Sequence, residues 1–287
     1  MIFVLKFITI AISSIALLYM LVVIAVFFLQ EKLIFPGDRL PTGFTFRKLP
    51  GLEEKSVAVE SGSLSALHFR NEAPRGLIFF LHGNAGNLDS WVPDTDFYER
   101  ERYDMFMIDY RGYGKSTGRI QSQKQLEADV LAAWKSVAPE YHAKELPIVI
   151  YGRSLGTYLA TNLASKVDAD LLALVSPYTS ITDMAKRTFP WIPTQGFLKY
   201  PLATRDIISQ IEIPVILLHG TEDSLIPPAH AHALHDIALL RTHPTRYTPN
   251  EFTQLKLIEH AGHADIHEFA QYEDALAAAL PDKEPLS

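Results

Sequence analysis

The chain has no cysteine. Disulfides, a thiol nucleophile and cysteine-ligated zinc are thereby excluded. Positive charge is also scarce: 26 Lys and Arg stand against 33 Asp and Glu, for a formal net charge of −7. No Lys/Arg-dense run or basic stripe interleaved with aromatics occurs, so a nucleic-acid partner has no electrostatic support. Internal repeats and low-complexity segments are absent as well. Solenoid architectures are therefore excluded, and 287 residues suffice for one large domain with a well-buried core.

What the chain has in quantity is apolar residues, 48% of the total, and a long run of them opens it. From Phe7 to Leu29 only mild residues such as Thr9, Ser13, Ser14 and Tyr19 interrupt the run. As a helix rising about 1.5 Å per residue, it reaches across the ~30 Å hydrocarbon layer of a bilayer. A cleaved secretory signal is the alternative, but the run outlasts the usual apolar core of one, and "AVFFLQEK" offers no small-x-small cleavage site. Residues 1–30 are therefore expected to form an uncleaved transmembrane anchor. Lys6 and the terminal amine precede the run, as in a signal anchor that leaves the following domain outside the cytosol. Lys32, Arg39, Arg47 and Lys48 after it weigh the other way, and the expectation leans to the extracytoplasmic side.

Residues 31–54, with Pro36, Gly37, Pro41, Gly43, Pro50 and Gly51, read as an extended connector laid over a domain surface. The catalytic domain is expected over 55–282. Ser56–Glu60 and Leu64–Phe69 flank Ser61-Gly62-Ser63 as a hairpin. Gly76–Leu81, Asp104–Ile108, Pro147–Tyr151, Leu171–Val175, Pro214–Leu218 and Phe252–Ile258 read as strands. Gln123–Val137, Leu155–Lys166, Ala229–Leu240 and His263–Leu280 read as helices. This alternation predicts an α/β fold with a mostly parallel sheet and helices on both faces.

Gly152-Arg153-Ser154-Leu155-Gly156 falls between a strand and a helix. A GxSxG turn there lifts the serine hydroxyl above the sheet edge, which makes Ser154 the candidate nucleophile. A serine hydroxyl needs a base to take its proton, and the base needs a carboxylate to fix its tautomer. Two later loops supply them: His219-Gly220-Thr221-Glu222-Asp223 and Glu259-His260-Ala261-Gly262-His263. Asp223 or Glu222 can be the acid and His263 or His260 the base, with Gly262 favouring His263 by freeing the backbone for a tight turn. The developing oxyanion needs backbone donors. The N–H of Leu155 is one, and the loop His82–Gly86 supplies the other, through Asn84 first and Ala85 second.

The motifs "LHGNAGN", "DYRGYGKSTG", "YGRSLGT", "HGTEDSLIP" and "AGHADIH" resemble those of the α/β-hydrolase fold superfamily. More narrowly, with "LQEKLIFPGDRLP" and "VSPYTSITDMAK", the chain is similar to small membrane-anchored α/β-hydrolase-domain serine hydrolases, related to the prolyl-oligopeptidase-like and dienelactone-hydrolase-like branches. The resemblance implies an eight-stranded sheet with the second strand antiparallel and a short cap. It implies a triad of Ser154, Asp223 and His263, with Asp223 preferred for its position ahead of Ile226-Pro227, and no metal or organic cofactor. It carries no substrate.

The cap falls over 176–212, where Phe189, Trp191 and Phe197 are expected either to wall an acyl-chain site or to pack a short helix onto the sheet. His230, His232, His235 and His243 have only Asp236 as a neighbouring carboxylate, and no metal is expected from them. Asp109, Arg111 and Lys115 read as turn residues that brace the active-site loops, Arg153 as lying over those loops, and Asp265 and His267 as facing solvent. The resulting expectation is a membrane-held serine hydrolase that cleaves a carboxylic ester or thioester, lipid-like in its acyl part, through an acyl-enzyme on Ser154. The alternatives are a peptidase or amidase and a non-catalytic, membrane-tethered binding module.

Overall fold

The computed structural model describes residues 2–92, 96–192, 194, 196–240 and 252–281. His243, Pro193 and the expected domain end at residue 282 lie outside them. Eight strands form one sheet: β1 (Leu52–Val59), β2 (Gly62–Phe69), β3 (Gly76–Leu81), β4 (Tyr103–Ile108), β5 (Ile148–Arg153), β6 (Leu171–Val175), β7 (Val215–Gly220) and β8 (Thr253–Ile258). Their order is β1-β2-β4-β3-β5-β6-β7-β8. β2 runs antiparallel to both β1 and β4, and every pairing from β4 onward is parallel.

Apolar residues fill both faces of the central strands, because helices cover both sides. In β3, Leu77, Phe79 and Leu81 enter one core while Ile78 and Phe80 enter the other; in β5, Ile148 and Ile150 oppose Val149 and Tyr151 in the same way. The first core is closed by α4 (Gln123–Ala143), α5 (Gly156–Ala164) and α7 (Ala229–Leu239), through Leu126, Val130, Trp134, Leu159, Leu163 and Leu234. The second is closed by the short helices α2 (Leu88–Trp91) and α3 (Asp96–Arg100) and by the last helix, α8 (Ala270–Ala279), with Phe97, Tyr98, Tyr272 and Leu276. The sixth helix, α6 (Ile181–Thr188), and two 3-10 turns occupy the cap region between β6 and β7.

Two boundary differences from the sequence reading bear on the site and its connector. β1 begins at Leu52, inside the stretch read as connector, because Leu52, Glu53 and Glu54 already pair with Phe69, His68 and Leu67. The connector itself is stitched into the domain: Phe35 and Phe46 are buried, Leu40 N–H donates to Gly114 O, and Gly114 N–H donates to Asp38 O. The last helix starts at Ala270, not His263. The residues between turn tightly, with Asp265 Oδ1 accepting from Gly262 N–H at 2.8 Å, and so carry His263 on a loop.

The amino-terminal helix α1 runs from Ile2 to Ile34. It is long and apolar enough to cross a membrane, and its lower end continues past the apolar run to meet the domain at the buried Gln30.

Candidate active site

Ser154 sits where β5 hands over to α5, at φ 52°, a left-handed conformation that a serine adopts only when its surroundings hold it there. Ser154 N–H is tied to Val175 O on β6 at 2.9 Å, and Ser154 O accepts from Thr157 N–H at 2.9 Å. The flanking glycines allow the close approach the turn needs. A Cβ on Gly152 would run into the Gly156 backbone and Ala160, and one on Gly156 would collide with the Leu81 carbonyl.

The three residues that the resemblance implies as a triad lie together. His263 Nε2 lies 3.1 Å from Ser154 Oγ, and His263 Nδ1 lies 2.7 Å from Asp223 Oδ2. Asp223 ends a tight loop in which its Oδ1 accepts from Leu225 N–H at 3.0 Å and Ile226 N–H at 2.8 Å. Burial pushes its carboxyl up, but the neighbouring His219 and hydrogen bonds from His263 and Ile226 N–H outweigh burial and hold it well below the usual carboxylate range. It is therefore a fixed anion behind the imidazole. His219, buried at the end of β7, contributes without touching Ser154: its Nε2 donates to Ile226 O at 2.7 Å and stands 3.4 Å from Asp223 Oδ2.

Glu222 and His260, the alternatives for acid and base, are placed elsewhere. They pair with each other at 3.0 Å on the exposed rim. Arg153 braces the histidine loop from its amino side, donating to Ala264 O at 2.7 Å and His263 O at 3.2 Å, with its guanidinium 5.3 Å over the Trp91 ring. Asp265 does not simply face solvent, since it caps the turn at Gly262; His267 lines the cavity beside Ser154 and lies 3.3 Å from Arg153.

The loop after β3 is held from behind. His82 Nδ1 donates to Gly83 O at 2.6 Å, Tyr113 Oη donates to Asn84 O at 2.9 Å, and Tyr110 Oη donates to His82 O at 2.8 Å. A trans peptide sets the next N–H opposite each carbonyl, so fixing the Gly83 and Asn84 carbonyls also fixes the Asn84 and Ala85 N–H groups on the other side of the loop. Gly83, Asn84 and Ala85 all line the cavity that Ser154 lines. Burial lowers the His82 pKa to about 4, against the opposing pull of Gly83 O, so this imidazole is neutral at pH 7. Burial likewise raises Asp109 to about 7; Leu88 N–H, which it accepts at 3.0 Å, lowers it, and Asp38 raises it. Arg111 braces the adjacent turn through a buried ion pair with Asp129 at 2.6 Å, and Lys115 pairs with Glu54 at 2.7 Å.

A cavity of about 620 Å³ opens over Ser154 and His263. Its apolar walls include Phe80, Trp91, Phe97, Tyr98, Tyr151 and Leu225. Burial pushes the Tyr151 hydroxyl up and the Tyr272 hydroxyl well up, and the two are bonded to each other at 2.7 Å, so this wall carries no charge.

Phe189, Trp191 and Phe197, expected either to wall an acyl-chain site or to pack a short helix, stand apart from this cavity. Trp191 packs on Tyr19 with ring centroids 6.4 Å apart, Phe197 on Phe27 at 5.0 Å, and Phe189 on Trp191 at 6.2 Å. The second half of α1 offers an apolar face, and the cap aromatics meet it. The residues that do wall the cavity come from β3 and the segment after it, from β5, from the loop after β7, and from α8 and the turn before it. No periodic pattern in the sequence announces them.

Among the described residues no group of three His, Asp or Glu side chains converges as a metal site. His230 Nδ1 is instead 2.9 Å from Thr179 Oγ1, and His235 Nδ1 stands 3.6 Å from Asp236.

A serine at a strained strand-to-helix turn, with histidine and acid following in loops after later strands of an eight-stranded sheet, is the arrangement of an α/β-hydrolase. Comparison with known proteins agrees. A family model described as "Serine aminopeptidase, S33" matches residues 72–204. Alpha/beta hydrolase domain-containing protein 17C of Xenopus tropicalis is 32% identical over 258 residues, covering 88% of this chain and 77% of that protein. Human alpha/beta hydrolase domain-containing protein 17B is 30% identical over 247 residues, covering 84% of this chain and 79% of its own. Among solved structures, a Pyrococcus furiosus esterase shares the fold at a TM-score of 0.64 and 18% identity, over 85% of this chain and 95% of that one. The chain belongs to the α/β-hydrolase superfamily, with the alpha/beta hydrolase domain-containing 17 proteins among its relatives.

Proposed function

We propose that this hydrolase cleaves a carboxylic ester or thioester with an apolar acyl group, through an acyl-enzyme on Ser154. The observation that carries the reading is the hydrogen-bonded series Ser154–His263–Asp223 opening onto an aromatic-walled cavity of about 620 Å³. His263 Nε2 takes the Ser154 hydroxyl proton as Oγ attacks the carbonyl carbon. Asp223 holds Nδ1–H and stabilises the imidazolium. The oxyanion accepts from Leu155 N–H at the start of α5 and from Asn84 N–H in the pinned loop. His263 then passes its proton to the departing alkoxide or thiolate. Water enters, gives a proton to the same Nε2 and attacks the acyl carbon, and that proton returns to Ser154 Oγ as the carboxylic acid leaves.

The match to a serine aminopeptidase family favours a second reading, a peptidase that needs a carboxylate for the substrate's amino group. Among the described lining residues the single acid is Glu273, and it is engaged by Arg100 at 2.7 Å. The aromatic wall favours an acyl chain. As part of the same proposal, α1 anchors the enzyme in a membrane, with the hydrolase domain on the extracytoplasmic side.

Rates of the purified full chain on acetyl, octanoyl and palmitoyl p-nitrophenyl esters, with matched thioesters and aminoacyl amides, test this reading. kcat/KM rising with acyl length supports it. Cleavage confined to aminoacyl amides overturns it in favour of the peptidase.

A further inference from the structure

The contact between α1 and the cap has an unusual position. Tyr19 is the one hydroxyl-bearing ring in the apolar run of α1, and its Oη donates to the backbone carbonyl of Trp191 at 2.9 Å. Gln30, where the run gives way to Glu31 and Lys32, is buried and bonds the other end of the same segment, its Oε1 accepting from Lys199 N–H at 2.7 Å. From Tyr19 to Gln30 the helix climbs roughly 16 Å, about half of a ~30 Å hydrocarbon layer. The outward side of this stretch stays uncovered, with Ile24 45%, Phe28 69% and Leu29 46% exposed. If α1 spans a bilayer, those residues face lipid, and the turn meeting Tyr19 lies at the same depth.

We propose that the turn Phe189–Ile192 is a second membrane-inserted element, which enters the leaflet beside α1. The inference rests on the reading of α1 as a membrane anchor.

Two features of the turn fit a lipid environment. Backbone polar groups in hydrocarbon must find internal partners. Phe189 N–H donates to Ala185 O at 2.7 Å, Ile192 N–H donates to Phe189 O at 3.0 Å, Pro190 has no N–H, and Tyr19 supplies the donor for Trp191 O. The tip also shows aromatics where an aqueous loop would show polar groups, with Phe189 43% and Trp191 51% exposed. Cations flank it as they flank interfacial elements: Lys186 and Arg187 end α6, and Lys32 lies in the last turn of α1, all exposed. A single helix leaves a domain free to swivel, whereas two attachments fix its tilt on the bilayer.

The absence of cysteine makes the test direct. Single cysteines replace Phe189, Trp191, Leu18 on the lipid-facing side of α1 and Leu240 on the domain surface. The full chain carries a nitroxide at each and is reconstituted into vesicles of phosphatidylcholine with phosphatidylglycerol, and thermal transitions matching the parent protein establish folding. Relaxation by oxygen and by a water-soluble nickel chelate then reports depth. Labels at Phe189→Cys and Trp191→Cys should be oxygen-accessible and chelate-shielded like Leu18→Cys, with several-fold less chelate relaxation than Leu240→Cys. If they match Leu240→Cys while Leu18→Cys stays shielded, the anchor stands and the inserted turn is overturned. Chelate access at Leu18→Cys would overturn the anchor reading and this inference together.

Discussion

Glu222 Oε1 and His260 Nδ1 lie 3.0 Å apart on the exposed rim, while their near neighbours in sequence, Asp223 and His263, meet at 2.7 Å in the interior. Two acid–histidine pairs thus connect the same two loops, and only the inner pair reaches Ser154. Glu222→Gln and His260→Asn are predicted to leave kcat/KM within about twofold, because exposed pairs contribute little. Asp223→Asn should lower kcat by about 10³–10⁴-fold with the fold intact, since an amide favours the wrong imidazole tautomer. Steady-state kinetics on one ester substrate decides between the pairs. Equal losses from Glu222→Gln and Asp223→Asn would contradict the assignment.

Asp109 gives a stability prediction with a definite sign. Burial raises its pKa to about 7, whereas an unfolded aspartate titrates near ~3.9. Between those values the unfolded chain has lost the proton that the folded protein keeps. Stability from this group is therefore full below about pH 4, falls as pH rises to about 7, and stays low above that. Asp109→Asn keeps an acceptor for Leu88 N–H and removes the titration. Its stability relative to the parent should grow between pH 4 and 7 by an amount on the order of 4 kcal/mol, read from denaturant unfolding. A difference constant over that range would contradict the raised pKa.

The strands and the GxSxG turn are legible in the sequence because they rest on local signals. Apolar runs as continuous as Ile148–Tyr151 have few places to go except a doubly covered sheet, and a glycine-flanked serine after such a run has a short list of conformations. The distant partners of the site are less legible. His219 ends β7 in plain view, but its bond to Ile226 O and its approach to Asp223 depend on how one loop folds back. The cavity wall draws on Trp91, Phe97, Tyr151 and Tyr272, which are scattered along the chain and come together only when the sheet is assembled. The cap aromatics show the converse case. Composition marks Phe189, Trp191 and Phe197 as seeking an apolar surface, but a sequence does not say whether that surface is a substrate or the protein's own helix.

Arg153 reaches the histidine loop through backbone carbonyls, which predicts a kinetic effect with no change in binding chemistry. Arg153→Met removes the donors to His263 O and Ala264 O while keeping much of the stem's contact with Trp91. A loosened His263 should cost about 10–100-fold in kcat with KM nearly unchanged. Arg153→Lys should restore part of the loss. A rise in KM at constant kcat would instead make Arg153 a substrate contact.

The most direct test of the account is the reaction of the full chain in native membranes with a fluorophosphonate probe, compared with Ser154→Ala. The activated serine should be labelled, and the label and ester turnover should both vanish in Ser154→Ala, whose thermal transition should match the parent. Persistent labelling and turnover in Ser154→Ala, or no labelling of folded parent protein, would contradict the assignment of Ser154 as the nucleophile.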